Sequence, residues 1–240
     1  MAKPLYRDTA VVLRSYKLGE ADRIVVLMTE HHGKVRAVAK GVRKTMSKFG
    51  ARLEPMSHVR LLLAQGRDLD IVSQADLVET TAPLLADLDH LTNGMAMLEA
   101  IDQLALEREP SPHLYRMLVG ALRTVAQRSG PLVVPSFYWK LLAAEGIRPE
   151  LDACVQCGEE GPIVAFDMTH GGVLCRSCRS GASISPDALE LLRMILGGRM
   201  NEALDLPPTL ATHEVSGHAT RALEYHIERR LRTVAMFERA

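Results

Sequence analysis

Residues 33–52 read GKVRAVAKGVRKTMSKFGAR, and this stretch decides the fold class. Val35, Ala37 and Ala39 alternate with Lys34, Arg36, Val38 and Lys40, the period of two that a strand shows when one face is buried and the other is wet. From Val42 to Gly50 the alternation stops and the chain becomes a basic connection carrying Arg43, Lys44 and Lys48, with Arg52 just beyond. Between Lys34 and Arg60 the only acid is Glu54. A basic strand face running into a basic loop suits a phosphate backbone, which rewards displaced counterions. Lysines also protect exposed edge strands from mispairing, so the pattern alone leaves both readings open.

Working outward, DTAVVLRSY (8–16) and DRIVVLMT (22–29) precede this strand, while HVRLLLAQ (58–65) and LDIVSQADL (69–77) follow it. Each is a short run of Val, Ile, Leu and Thr between turn signals. His31-His32-Gly33 and Gly66-Arg67-Asp68 read as connections, with the histidines solvated and Asp68 and Asp70 as ordinary loop acids. In the fifth run Leu69, Ile71, Ala75 and Leu77 share one expected face, and Asp70, Gln74 and Asp76 the other. Five strands in so short a span point to a small antiparallel barrel. The longest gap, Val42 to Ser57, falls between strands three and four, where an OB-fold has its insertion.

After Glu79 the period lengthens to that of a helix. Leu91, Met95, Leu98, Ile101 and Ala105 form one stripe; Leu114, Leu118, Ala121, Leu122 and Val125 form a second, parted from the first by Pro110 and Pro112. A third helix is expected over Ser136–Glu145, ending at Gly146. Ser185-Pro186-Asp187 starts a fourth, with Leu189, Leu192 and Leu196 inward and Gly197-Gly198 as its end. The last is expected from about Thr212 to Arg239, on Leu223, Ile227, Leu231 and Val234. The fold class is therefore α+β: an N-terminal barrel (1–80), then a helical bundle (81–150 and 184–240) interrupted by a cysteine-rich insertion (151–183).

Composition sets the outer bounds. The chain has 240 residues, 47% of them hydrophobic and only 4% aromatic, so its cores must be aliphatic. A net charge of zero hides a balance of +8 over residues 1–60 and −8 over residues 61–109. No apolar run approaches the ~18 residues of a membrane span. Arg7, Asp8 and Arg14 interrupt the apolar segment near the start, so no signal peptide is expected and the setting is read as cytoplasmic and reducing.

All four cysteines lie in the insertion, as Cys154-Val-Gln-Cys157 and Cys175-Arg-Ser-Cys178. Each CxxC turn aims two sulfurs at one point, and a hairpin between the pairs completes a tetrahedron, the geometry zinc takes. Gly158, Gly171 and Gly172 supply the turns. Two disulfides or a redox dithiol are the alternatives, and the compartment and the doubled motif disfavour them. Four thiolates leave no position for water, so one structural Zn²⁺ per chain is expected rather than a catalytic one.

Catalysis is not expected. The chain has no Walker phosphate loop, no dinucleotide fingerprint and no nucleophile elbow. His213-Glu214-Val-Ser-Gly-His218 resembles the zinc-protease motif but is one residue too long; five helical residues rotate by roughly 500°, so the imidazoles diverge by about 140°.

KVRAVAKGVRK in the barrel, the string GIRPELDACVQCG, the glycine-rich hairpin and LCRSC together resemble the bacterial recombination mediator family RecO, over about Tyr6 to Phe237. The resemblance implies an OB-fold on a helical bundle with a zinc element. It also implies binding of single- and double-stranded DNA, annealing of complementary strands, and action with RecR in loading RecA onto strands coated by single-strand-binding protein (SSB). Not every member keeps the cysteines; here all four are present. Aromatic residues for base stacking are limited to Tyr6, Tyr16 and Phe49 in the barrel. DNA is therefore expected to be held by its backbone, through Arg14, Lys17, Lys34, Arg36, Lys40, Arg43, Lys44, Lys48 and Arg52. For the acidic SSB tail the candidates are Arg116 and Arg123 on one helix face, or Arg229, Arg230 and Arg232 near the chain end. The rival class is a zinc-stabilised adaptor in which the basic strand pairs with the acidic 61–109 segment of another copy.

Overall fold

Val and Leu recur along the fourteen-residue first strand, β1 (Leu5–Leu18), which must serve two neighbours. Its first half pairs antiparallel with β4 (His58–Ala64) and its second half with β2 (Asp22–Thr29). An irregularity between Val12 and Arg14 lets it turn from one to the other, and Ala10 to Leu13 are buried without a break. β2 continues to β3 (Lys34–Ala39); a short parallel pairing of β3 with β5 (Asp70–Leu77), and β5 on β4, closes the barrel in the order β1-β2-β3-β5-β4. That order is the OB-type barrel expected from the sequence. The computed structural model describes residues 3–233.

The barrel core is aliphatic except for Phe49, which is 1% exposed. Phe49 and Leu53 flank a 3-10 turn at Gly50–Leu53 and drop into the barrel from the β3–β4 connection. Strand β5 departs from simple alternation. Its pairing with β4 shifts at Leu62/Leu63, so Val72 and Ala75 both point inward and Asp70 is fully buried, while Leu77, at the end of the strand, is 48% exposed. The extra residue in the bulge swaps the faces that period two assigns.

α1 (Leu88–Leu104) and α2 (Pro112–Gln127) pack against each other and onto β1. The chain divides into two compact units, Met1–Gln127 and Arg128–Ala240, and these two helices belong to the same unit as the barrel. Asp87 caps α1 by accepting from the His90 amide. Beyond α1 the chain returns to the barrel as a strap. Lys34 N–H donates to the Leu106 carbonyl and Arg108 N–H to the Lys34 carbonyl, along the part of β3 that β5 does not reach. Gly33, at φ 67°, permits this approach, because a Cβ there would lie 1.9 Å from the Glu109 carbonyl oxygen.

The second unit contains α3 (Val133–Ala144), a small sheet of β6 (Ile163–Asp167), β7 (Gly172–Cys175) and β8 (Ala182–Ser183), then α4 (Pro186–Leu196), α5 (Met200–Leu204) and α6 (Leu210–Ile227). α3 begins earlier than Ser136 because Pro135 sits in its first turn, where a missing N–H costs nothing. Ser185 caps α4 through the Ala188 amide, as the sequence implies. α6 is shorter than its apolar stripe predicts. Glu228 takes a left-handed conformation at its end, and the Glu224 carboxylate accepts from the Leu231 amide. Leu231 is still buried, reached through that turn and not along the helix, and Val234 lies outside the described residues.

Candidate nucleic-acid interface and metal centre

The basic stretch is sorted by the barrel into residues already engaged and residues that reach solvent. Lys34 is the most enclosed, its side chain 14% exposed; Nζ donates to the Asp102 carbonyl oxygen at 2.5 Å and lies 3.5 Å from Asp102 Oδ1. Arg14 Nε donates to the same carboxylate at 2.6 Å. Arg36 faces Glu107 on the strap, Nε to Oε1 3.2 Å. Arg43 donates to the carbonyls of Gly19 and Glu20, Lys48 to that of Ser73, and Arg52 to that of Lys48. Lys17, Lys40 and Lys44 are exposed, and no hydrogen bond or ion pair of their side chains occurs among the described residues. The acidic 61–109 segment therefore meets the basic strand within the same chain, through Asp102 and Glu107, where the adaptor reading had imagined a second copy.

Of the three aromatics available for stacking, Phe49 is removed by its burial, and the Lys48 ammonium lies 4.9 Å from its ring centre. Tyr6 is half-buried, with its hydroxyl on Asp70 and its ring against His32. Tyr16 alone is open, 36% exposed, with the Arg14 guanidinium over its ring.

One mouth of the barrel holds charges the sequence reading had taken as loop groups. Asp70 accepts from Tyr6 Oη, Arg108 Nη2 and the Gly66 amide. Burial pushes its carboxyl up, but these donors outweigh it and hold it below the ordinary range. Asp8, also buried, accepts from the Thr9 amide and is met by Nδ1 of both His31 and His32, at 3.0 and 2.5 Å. The two histidines are thus oriented by a carboxylate 23 and 24 residues away in sequence, a pairing no local pattern reveals.

Arg123 forms a two-pronged pair with Glu79 on the lip of a groove lined by Val11, Met56, Leu84, Val119 and Leu122. His58 borders the same groove and bonds Tyr115 Oη at 2.8 Å. Arg116 is exposed on the same helix. Arg229 and Arg230 are exposed in the turn that follows α6, and Arg232 is exposed just beyond it, past the end of α6 at Ile227.

In the second unit the four cysteine sulfurs all lie within 4.8 Å of one another. Cys157 and Cys175 are 3.7 Å apart at sulfur, against an edge of about 3.8 Å for a tetrahedron with Zn–S bonds near 2.3 Å. Both turns are built alike. The amides of Gln156 and Cys157 point at the Cys154 sulfur, and those of Ser177 and Cys178 at the Cys175 sulfur. Gly158, at φ 77°, closes the first turn with its amide on the Cys154 carbonyl. Gly172 lets Glu150 pass, since a Cβ there would meet the Glu150 carbonyl oxygen at 2.3 Å. The Cys154 thiol is drawn down to about 6 by backbone amides, that of Cys175 foremost, while hydrogen bonding to Cys157 pushes Cys178 up to about 12. Thiols this crowded cannot all ionise unless a cation takes up their charge, so the donor set fits a closed four-thiolate metal centre.

Glu214 and His218 serve the helix packing, while His213 is exposed. Glu214 accepts from the amide and hydroxyl of Ser185, and buried His218 donates to the Ser183 carbonyl. Burial, aided by the Arg221 charge, keeps that imidazole neutral. No helix among the described residues is long and apolar enough to cross a membrane.

A closed five-strand OB-type barrel followed by helices, with four clustered cysteines between them, defines a class of barrel-and-helix protein with a metal-ready knuckle. The family of the recombination protein O N terminal matches residues 1–81, and that of the recombination protein O C terminal matches residues 85–235. The chain belongs to the recombination protein O (RecO) family, whose role is that of a mediator in DNA recombination and repair.

Proposed function

We propose that the barrel grips DNA by its sugar–phosphate chain and leaves the bases free to pair, so that the protein anneals complementary strands. The observation that carries this is the burial of Phe49 beside the exposed Lys17, Lys40 and Lys44: a barrel with a single open aromatic stacks bases poorly but offers cations to phosphates. Arg14, Lys34 and Arg36 complete the track when Asp102 and Glu107 yield them; Arg43, Lys48 and Arg52 shape the loop that carries Lys44. Four cysteines at zinc spacing support one structural Zn²⁺, held by Cys154, Cys157, Cys175 and Cys178. Family membership supports action with RecR in loading RecA onto SSB-coated single strands, in the cytoplasm. For the SSB tail, the apolar groove beside Arg123 and Arg116 matches an acidic, apolar peptide better than the turn at Arg229, Arg230 and Arg232. The test is fluorescence-monitored annealing of complementary oligonucleotides, bare and SSB-coated. Acceleration in both, lost on replacing Lys40 and Lys44 by alanine, supports the reading; no acceleration in either refutes it.

A further inference from the structure

Two carboxylates are buried at one mouth of the barrel, and they are neutralised differently. Asp70 has the Arg108 guanidinium at 2.9 Å. Asp8, whose side chain is 0% exposed, has no lysine or arginine among its partners in the described residues; only imidazoles and backbone amides reach it. Glu30 stands beside it, and no ion pair of Glu30 occurs among the described residues. With the imidazoles neutral, the cluster holds two negative charges against no fixed cation.

We propose that Asp8, Glu30 and His31 bind one divalent first-row transition ion such as Zn²⁺, Co²⁺ or Ni²⁺, a centre separate from the four cysteines. One donor atom from each of the three lies within 4.8 Å of the others. His31 Nδ1 and Asp8 Oδ1 are 3.0 Å apart, the spacing of neighbouring ligands each about 2.1 Å from an octahedral ion. A mixed imidazole and carboxylate set selects these metals over Mg²⁺ and Ca²⁺, which take oxygen donors alone. His32 Nδ1 on the second Asp8 oxygen fixes the carboxylate, the outer-shell arrangement that tunes metal ligands.

The donors stand on a rigid frame. The Thr29 amide and hydroxyl both donate to the Gly33 carbonyl, the His32 amide donates to Thr29 Oγ1, and the Glu30 amide to the Thr9 carbonyl. The β2–β3 turn and β1 are therefore already held at the distance an ion would bridge. The ion would pin that turn across the barrel mouth, one residue before the basic face begins at Lys34.

Full-length protein with its cysteine site loaded with zinc is titrated with Co²⁺ by calorimetry and visible absorption. One further equivalent should bind, with weak d–d bands and none of the intense thiolate charge-transfer bands of a cysteine site. Glu30→Gln should weaken it about tenfold, Glu30→Gln with His31→Gln should abolish it, and His90→Gln, outside the cluster, should leave it unchanged. Paramagnetic broadening in the unaltered protein should be confined to residues 8–9 and 29–33, a readout independent of whether the variants fold. Absence of a second equivalent, or binding indifferent to Glu30→Gln and His31→Gln, overturns the proposal. Broadening centred elsewhere overturns it as well.

Discussion

Glu107→Gln isolates the idea that the strap holds back part of the basic track. Glu107 Oε1 lies 3.2 Å from Arg36 Nε, with the two side chains 55% and 37% exposed. At that distance the attraction is about 1 kcal/mol in a water-like dielectric before screening. Ion pairs this exposed are worth only ~0.2–1 kcal/mol net. Removing the acid should therefore change fold stability by less than about 1 kcal/mol. It should also release one guanidinium, raising affinity for DNA about 1.5- to 5-fold at low salt. The sharper signature is the salt dependence. One added phosphate contact steepens the log–log slope by about 0.9 on duplex and about 0.7 on single strands. Anisotropy of a labelled oligonucleotide at several salt concentrations reads both, with thermal melting as the control. Adding Arg36→Ala should cancel the gain. An unchanged slope with intact melting refutes the reasoning, because Arg36 would then not reach phosphate even when its acid is gone.

The remaining predictions separate fold from site. Phe49→Ala should cost about 3–5 kcal/mol of barrel stability, the price of deleting a fully buried aromatic, seen as a lower melting temperature. Any loss of DNA binding should follow unfolding, whereas Tyr16→Ala should leave the melt unchanged. Cys175→Ser or strong chelation should remove one zinc per chain by metal analysis and loosen amide protection of the β6–β7 hairpin, while exchange in the β1–β5 barrel stays slow. Asp70 is held below the ordinary carboxylate range in the fold, so its stabilisation is present above pH ~4 and is lost as the pH falls through the lower folded value. The gap in melting temperature between the unaltered protein and Asp70→Asn should accordingly be constant near neutrality and close on acidification; a gap that persists at the lowest pH contradicts the assignment.

What the sequence disclosed was whatever is governed by local period and turn chemistry. All five barrel strands, the Ser185 cap of α4 and the two cysteine knuckles follow from spacing within a few residues. What it concealed depends on partners far along the chain. Phe49 looked like a stacking platform, because nothing in SKFGAR says that the connection folds back into the barrel. The bulge in β5 put Asp70 on the buried face with Val72, and period-two reasoning has no term for one extra residue. Lys34 and Arg36 read as free cations, whereas Asp102 and Glu107, some 70 residues later, lie on them. His31 and His32 read as solvated because Asp8 is invisible from the turn. Helix α6 ends early although its stripe continues, since a side chain of its own, Glu224, takes the Leu231 amide.

The central claim is that a cationic face of the barrel holds nucleic acid by its backbone. Equilibrium binding of one oligonucleotide, measured across salt concentrations for the unaltered protein and for Lys40→Ala with Lys44→Ala, addresses it most directly. The account predicts a steep log–log slope, little dependence on base sequence, and a slope flattened by somewhat under two units in the double variant. A slope near zero, or no binding at low ionic strength by protein with its cysteine centre loaded, would contradict it.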